Sequence, residues 1–177
     1  PIHDIQGPGA FSPIETAVVT TRGIVTGVKS DGFFMQEPDA TVDADPATSE
    51  GIFVVTPGAP PPAAAVSALV EVRATVTEFR PASDPQQPHY TQLTSPLSIV
   101  QVLPGQPLPA AIPLTPTFPS PAGPYDQLER VEGMRVSVTS LTVTGPTGGS
   151  VDEVNAAGTS HGLFHGVITG VARPFRE

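Results

Sequence analysis

Proline is the residue that most constrains this chain, because it occupies 23 of the 177 positions. Its ring fixes φ and removes a backbone donor, so neither a helix nor a central strand continues through closely spaced prolines. Where prolines cluster, the pattern therefore leaves no room for a regular element. The densest stretch, residues 104–124, predicts an extended strap or a linker; its prolines are Pro104, Pro107, Pro109, Pro113, Pro116, Pro119, Pro121 and Pro124.

Alternation of apolar and polar residues supplies the strands, and it is clearest at 69–79. There Val70, Val72, Ala74 and Val76 fall on one side, which indicates a half-buried strand. A helical turn is predicted at 125–131, and residues 1–13 are predicted to be a loop. Strands are also predicted at 16–28, where two glycines bend the chain, at 33–36, 51–56 and 134–143, and as short β runs at 90–93 and 97–103.

This order of elements predicts an all-β protein. The best-fitting member of the class is an OB-fold-like Greek-key barrel with long Pro-rich loops and at most one short helix. A β-sandwich is the alternative. We expect residues 1–145 to form the barrel domain and residues 146–177 to form a C-terminal extension, whose final strand leads toward a following domain. The expected barrel strands are 16–28, 33–36, 51–56, 69–79 and 134–143.

Charge limits the classes of ligand. The chain has 8 Lys plus Arg against 17 Asp plus Glu, a net charge of −9, and Lys29 is its only lysine. Affinity for nucleic acid comes largely from phosphate neutralisation by basic residues. Strong nucleic-acid binding is therefore not expected. Cysteine is absent, which excludes a disulfide framework, a thiolate zinc site and a cysteine nucleophile.

The first residue and the length of the apolar runs lead to two further expectations. The chain begins with Pro1 and not with Met, and we expect it to be a fragment of a longer protein. No apolar stretch in the sequence reaches the roughly 18 residues that a membrane helix needs, so no membrane partner is expected.

Six segments of the sequence follow one another in a recognisable order: IHDIQG at 2–7, residues 19–28 ending in GIVTGV, GFFMQEP at 32–38, TSEGIFV at 48–54, TQL at 91–93 and LERVEGM at 128–134. Together they resemble the OB-fold-like domain that precedes the catalytic domain in secreted bacterial nucleases of the endonuclease/exonuclease/phosphatase type. The resemblance covers about residues 2–145. Residues 66–68 depart from it, because the family often has a charged Gly-Asp turn there.

The resemblance implies an extracellular or periplasmic accessory domain that is not itself an enzyme. Its partners would be single-stranded nucleic acid, bound weakly, and an adjacent catalytic domain of the same polypeptide, which it would orient; we expect a monomer. The alternatives are a structural spacer or carbohydrate-binding module of a secreted enzyme, and a metal-dependent hydrolase that uses the acidic loop. The sequence contains no Gly-x-Ser-x-Gly, Gly-Lys-Ser/Thr or His-Glu-x-x-His motif.

Two sets of candidate site residues follow. In OB-folds the second and third strands form a ligand face on which aromatic side chains stack bases. Alternation places Phe34 and Gln36 outward, and Phe33 and Met35 inward. The acidic loop has oxygen ligands suited to Ca²⁺ or Mg²⁺, although Pro46 breaks the EF-hand pattern; a merely solvated loop is the other reading. The nucleic-acid set is Phe34, Gln36, Phe53, Arg73, Arg80, Tyr90 and Gln92, and the metal set is Asp39, Asp43, Asp45 and Glu50.

Overall fold

A computed structural model describes residues 1–82, 85–120, 122–124, 126–145, 149–160 and 165–172. Its main feature is a closed barrel of five strands, which are β1 (Val18–Lys29), β2 (Gly32–Gln36), β3 (Gly51–Val55), β4 (Leu69–Phe79) and β5 (Tyr90–Leu103). Their order around the barrel is β1-β2-β3-β5-β4, and β4 pairs in turn with β1. Neighbouring strands are antiparallel except β3 and β5, which are parallel. The predicted all-β barrel is thus confirmed.

The remaining elements are short. One α-helix, α1, spans Ile2–Gln6, and single 3₁₀ turns lie at Pro62–Ala64 and Glu129–Val131. The later strands are β6 (Ile112–Pro113), β7 (Val136–Ser137), β8 (Leu141–Gly145), β9 (Gly149–Asp152), β10 (Ala157–Ser160) and β11 (His165–Ile168). Antiparallel pairs form between β8 and β11 and between β9 and β10.

The fifth strand of the barrel differs from the sequence prediction. Residues 134–143 were expected to be that strand, but it is β5, which was predicted as two short runs. Pairing with β4 jumps from Arg73 opposite Ser98 to Thr75 opposite Thr94, so β5 has extra residues at this point. Ser95 has a φ of 49° there, and Pro96 follows it. A proline without a donor is tolerated at such a bulge, which is why one irregular strand had the pattern of two.

The N-terminal segment also differs from its prediction as a loop. Ile2 and Ile5 of α1 are 0% and 3% exposed, and both belong to the apolar core. A five-residue helix is too short to show a helical period in the sequence, so its burial was not apparent. The turn predicted at 125–131 contains the 3₁₀ turn at Glu129–Val131.

The barrel interior follows the predicted alternation. Val70, Val72, Ala74 and Val76 of β4 are buried, and so are Phe33 and Met35 of β2. Burying this apolar surface is the main stabilising contribution to a domain of this size. The inward direction of Phe33 leaves its neighbour Phe34 on the outer face of the sheet.

By its internal contacts the chain divides into two compact units, residues 1–112 with 124–136 and residues 113–123 with 137–177. The first contains the whole barrel, and the second contains the β8–β11 and β9–β10 pairs. The predicted domain boundary after residue 145 stays a prediction. Within the described residues, no helix has the length and apolarity that crossing a bilayer requires.

Candidate functional site

Three residues of the predicted nucleic-acid set stand in one row across the barrel. Phe34 on β2 is opposite Phe53 on β3, and Phe53 is opposite Gln92 on β5. Residues directly opposite each other in a sheet project from the same face. The two phenylalanine rings are in contact, with centroids 4.7 Å apart and planes tilted by 49°. The structure therefore places an aromatic pair on the outer face of β2 and β3.

Gly32 and Lys29 both adjoin the ring of Phe53. A Cβ on Gly32 would be 2.4 Å from Cζ of Phe53, so the ring occupies the space that a side chain at Gly32 would need. The Lys29 ammonium lies 4.8 Å from the centroid of the same ring, within the range of a cation–π contact, and 3.4 Å from Oδ1 of Asp31. Because Phe53 is only 7% exposed and Phe34 is half-buried, Phe34 has the more accessible ring.

A shallow depression of about 280 Å³ lies beside Phe34. Arg135 forms part of its wall, although this arginine was absent from the predicted set. Its backbone N–H donates to Oε1 of Gln36 at 2.9 Å, and its guanidinium donates to the Pro109 carbonyl. The sequence contains no local signal for this placement, because Arg135 arrives from a distant segment. The lining residues are Thr26, Gly27, Phe34, Gly133, Met134 and Arg135.

Two glutamines of the predicted face are buried. Gln36 shares the side of Phe34 as predicted, but it is 1% exposed, and its side-chain oxygen accepts the backbone N–H of Arg135. Gln92 is 6% exposed. Gln36 is thus on the outward side of β2 but covered, since sequence alternation identifies the side of a sheet and not what covers that side.

The remaining members lie apart from the row. Arg73 is exposed on β4, opposite Thr20 of β1 and Ser98 of β5. Arg80 is exposed just after β4 ends. Tyr90 is half-buried and its ring packs on Phe79, with centroids 5.2 Å apart. Burial, with the charges of Asp31 and Glu132, raises the pKa of Tyr90.

A second group of side chains surrounds His3 of α1. Nδ1 of His3 lies 3.1 Å from Oε1 of Glu37 and 3.1 Å from Oε2 of Glu50. Its Nε2 lies 4.0 Å from Oδ2 of Asp43. We call His3, Glu37, Asp43 and Glu50 the His3 cluster. It joins the N-terminal helix to the acidic loop between β2 and β3.

The structure brings two of the four predicted metal ligands into this cluster. Asp43 and Glu50 each offer an oxygen, and with one nitrogen of His3 these atoms all lie within 4.8 Å of one another. Asp39 instead accepts the backbone N–H of Ala110 at 3.1 and 3.2 Å. Asp45 accepts the N–H of Ala47 at 2.9 Å. His3 and Glu37 were not predicted; both lie in the segments of the family resemblance, which was the available signal.

Electrostatics within the His3 cluster favour a charged imidazole. Burial opposes the charge, but the hydrogen bond to Glu50 and the charges of Glu37, Glu50 and Asp43 outweigh it, so the pKa of His3 is raised. Burial also raises the pKa of Glu50, with Glu37 adding to it, while His3 and the N–H of Asp43 act against the shift.

A third group, also missed by the sequence, surrounds Glu132. Its Oε1 accepts the backbone N–H of Thr91 at 2.8 Å and the side-chain amide of Gln6 at 3.4 Å. Burial, with the charges of Glu129 and Glu78 adding to it, raises the pKa of Glu132 to about 8. Burial is also the main cause that raises the pKa of Glu129, which hydrogen-bonds Glu132, to about 7. The two carboxyls therefore titrate as a coupled pair.

Comparison with known proteins adds no further assignment. No family model, no curated protein and no solved structure matches the chain. The resemblance to nuclease-associated domains stays a prediction from the sequence.

Proposed function

We propose that this chain is a non-catalytic OB-fold domain of a secreted nuclease, and that it binds single-stranded nucleic acid weakly beside a catalytic domain. The observation that carries the proposal is the accessible ring of Phe34, packed on Phe53 on the outer face of β2 and β3. The five-stranded barrel supports the OB-fold assignment, because an OB-fold is a barrel of five strands. That fold binds oligonucleotides on its second and third strands, the pair on which Phe34 and Phe53 lie.

The face has the chemistry that stacking requires. An unpaired base places its flat surface on an aromatic ring, and this contact is worth about 1–3 kcal/mol per base. The depression next to Phe34 leaves room beside the ring, and Arg135 lines its wall. Lys29 adds a positive charge over the neighbouring Phe53. One accessible ring and two nearby cations fit contact with one or two nucleotides.

Weak affinity suits an accessory domain. The net charge of −9 opposes long-range attraction to a polyanion. A domain tethered to a catalytic domain, however, meets the substrate at a high effective concentration once that domain has bound. A weak contact through Phe34 is then sufficient to orient the strand relative to the active site next to it.

Fluorescence anisotropy with a labelled thymidine oligonucleotide at low salt tests the proposal. We expect measurable binding by the wild-type chain, loss of it in Phe34→Ala, and retention in Phe34→Trp, which keeps a stacking surface. Phe11→Ala is the matched control, because Phe11 is 58% exposed and its ring packs on His89 and not on the aromatic pair. Circular dichroism verifies that each variant is folded.

Three results would contradict this function in different ways. Absence of wild-type binding at low salt rules out recognition and leaves only an orienting role. Binding that survives Phe34→Ala shows that another surface is used. Binding of a neutral oligosaccharide with the same dependence on Phe34, and no binding of the oligonucleotide, favours the carbohydrate-binding alternative.

A further inference from the structure

We propose that the His3 cluster is a binding site for a divalent transition-metal ion of the zinc class, which fastens the α1 segment to the acidic loop. This inference does not depend on the nucleic-acid face, which lies on other residues. It also differs from the sequence prediction of a calcium or magnesium site, because an imidazole and a different set of carboxylates converge here.

The spacing of the ligand atoms supports the site. Zinc binds histidine nitrogen and carboxylate oxygen at 2.0–2.2 Å in a tetrahedron, which places neighbouring ligand atoms about 3.3–3.6 Å apart. Nδ1 of His3 is 3.1 Å from an oxygen of Glu37 and from one of Glu50. Oδ2 of Asp43 instead faces the other ring nitrogen, 4.0 Å from Nε2, so this side chain must turn toward Nδ1 to join the same ion. It is 28% exposed on the loop and accepts hydrogen bonds from the Thr48 hydroxyl and the Asp45 N–H, which the turn would exchange for the ion.

Charge balance is an independent argument for a cation. Glu37 and Glu50 are 2% and 6% exposed, and Asp43 lies next to them. The ion pairs that these three carboxylates make within the described residues all go to His3. Buried charges are normally paired, yet two buried carboxylates and the partly exposed Asp43 face a single imidazole. A divalent cation supplies the positive charge that this group of side chains lacks.

Backbone donors already hold two of the carboxylates in position. The N–H groups of Ile2 and His3 donate to Oε1 of Glu37, the His3 bond being 3.2 Å long. The N–H of Asp43 donates to Oε1 of Glu50 at 3.1 Å, so that Oε2 of Glu50 is the oxygen facing His3. Such outer hydrogen bonds orient metal ligands and are characteristic of built metal sites.

The donor set selects the class of metal. Calcium takes six to eight oxygen ligands, and magnesium also prefers oxygen. Asp39 and Asp45 are directed to backbone N–H groups outside the cluster, so within the described residues few oxygens remain for a hard cation. One imidazole with two or three carboxylates suits zinc and similar divalent ions.

Isothermal titration of the metal-free, tag-free chain with zinc chloride near neutral pH tests the site. A short neutral extension before Pro1 keeps the terminal amine from serving as a ligand. We expect one ion per chain and a higher melting temperature with zinc than with chelator. His3→Gln and Asp43→Asn should each weaken binding about tenfold or more. X-ray absorption should show a single imidazole in the coordination shell.

Asp45→Asn and His89→Gln are the matched controls, because these residues lie outside the His3 cluster and should leave zinc binding unchanged. If His3→Gln fails to fold, Asp43→Asn decides alone, since its partly exposed side chain is not part of the core. The proposal is overturned by the absence of saturable zinc binding, by binding that both substitutions leave intact, or by a stronger response to calcium than to zinc.

Discussion

The backbone of Gly133 lies directly against Gly51. A Cβ on Gly51 would be 2.4 Å from the carbonyl carbon of Gly133, and a Cβ on Gly133 would be 2.8 Å from the backbone nitrogen of Ile52. Ser49 reinforces this crossing by donating its hydroxyl to the Glu132 carbonyl at 2.6 Å. The crossing places Glu132 against Gln6 and Thr91 on one side and the Arg135 backbone against Gln36 on the other. Two glycines therefore position both the depression beside Phe34 and the Glu132 carboxylate.

Alanine at either glycine should destabilise the barrel. Gly51→Ala inserts a methyl group into a backbone contact, and Gly133→Ala adds strain because its φ is +66°. Each change should lower the free energy of unfolding by about 1–3 kcal/mol, as measured by urea denaturation. Gly58→Ala is the control, since no atom lies within 4 Å of its Cβ position. Equal stability of Gly51→Ala and Gly58→Ala would show that the two backbones do not cross as described.

The pKa of Glu132, raised to about 8, makes the stability of the barrel dependent on pH. Between the ordinary value of 4.5 and about 8, the folded state holds a proton that the unfolded chain releases. This contribution is fully present below pH 4.5 and is lost as pH rises through about 8, with a slope of at most about 1.4 kcal/mol per pH unit. Urea midpoints should therefore fall from pH 6 to pH 9.

Glu132→Gln isolates the contribution of this group. The amide oxygen keeps the bond from Thr91 and carries no charge, so the variant should lose stability less steeply over the same pH range and exceed the wild type at pH 9. Glu153→Gln, at an exposed position, should follow the wild-type curve. A Glu132→Gln curve that is parallel to the wild-type curve would mean that this carboxyl does not titrate in the range.

Local pattern predicted the barrel where side-chain alternation is regular. The inward residues of β4 and the inward Phe33 and Met35 of β2 are confirmed, because alternation depends only on neighbouring positions. The fifth strand was placed wrongly, since the bulge at Ser95 and Pro96 interrupts the period of β5. In the sequence, alternation breaks in the same way where a strand ends and where a strand bulges.

The candidate site residues likewise divide into those that the sequence could predict and those that it could not. Phe34 and Phe53 were grouped because an OB-fold binds its ligand on the second and third strands, and in the structure the two residues lie opposite each other. Arg135 and Glu132 reach their positions through the glycine crossing, about eighty residues after β3 begins. His3 reaches Glu37 and Glu50 from a helix too short to recognise. Contacts between segments this far apart in the chain leave no sign in the local periodicity of the sequence.

Adjacent phenylalanines on β2 should differ sharply in their effect on stability. Phe33 is 0% exposed in the core, so Phe33→Ala should cost about 3–5 kcal/mol through lost burial and the cavity left behind. Phe34→Ala on the outer face should cost clearly less, because half-burial leaves less surface to lose. Thermal or urea unfolding of the two variants measures the difference. Equal losses would place both rings in the core and remove the stacking surface.

The salt dependence of oligonucleotide binding should be shallow. For single strands the logarithm of the binding constant falls with the logarithm of salt at about 0.7 per neutralised phosphate. Lys29 and Arg135 are the basic residues near the aromatic pair within the described residues, so the slope should be no steeper than about −1.4. Lys29→Gln should reduce the slope by about 0.7. Arg22→Gln, whose guanidinium pairs with Glu71, is the matched control and should leave it unchanged. Anisotropy titrations across a salt series give these slopes. A wild-type slope of about −3 or steeper would show that several phosphates contact basic residues elsewhere, and stacking on Phe34 would then not be the dominant contact.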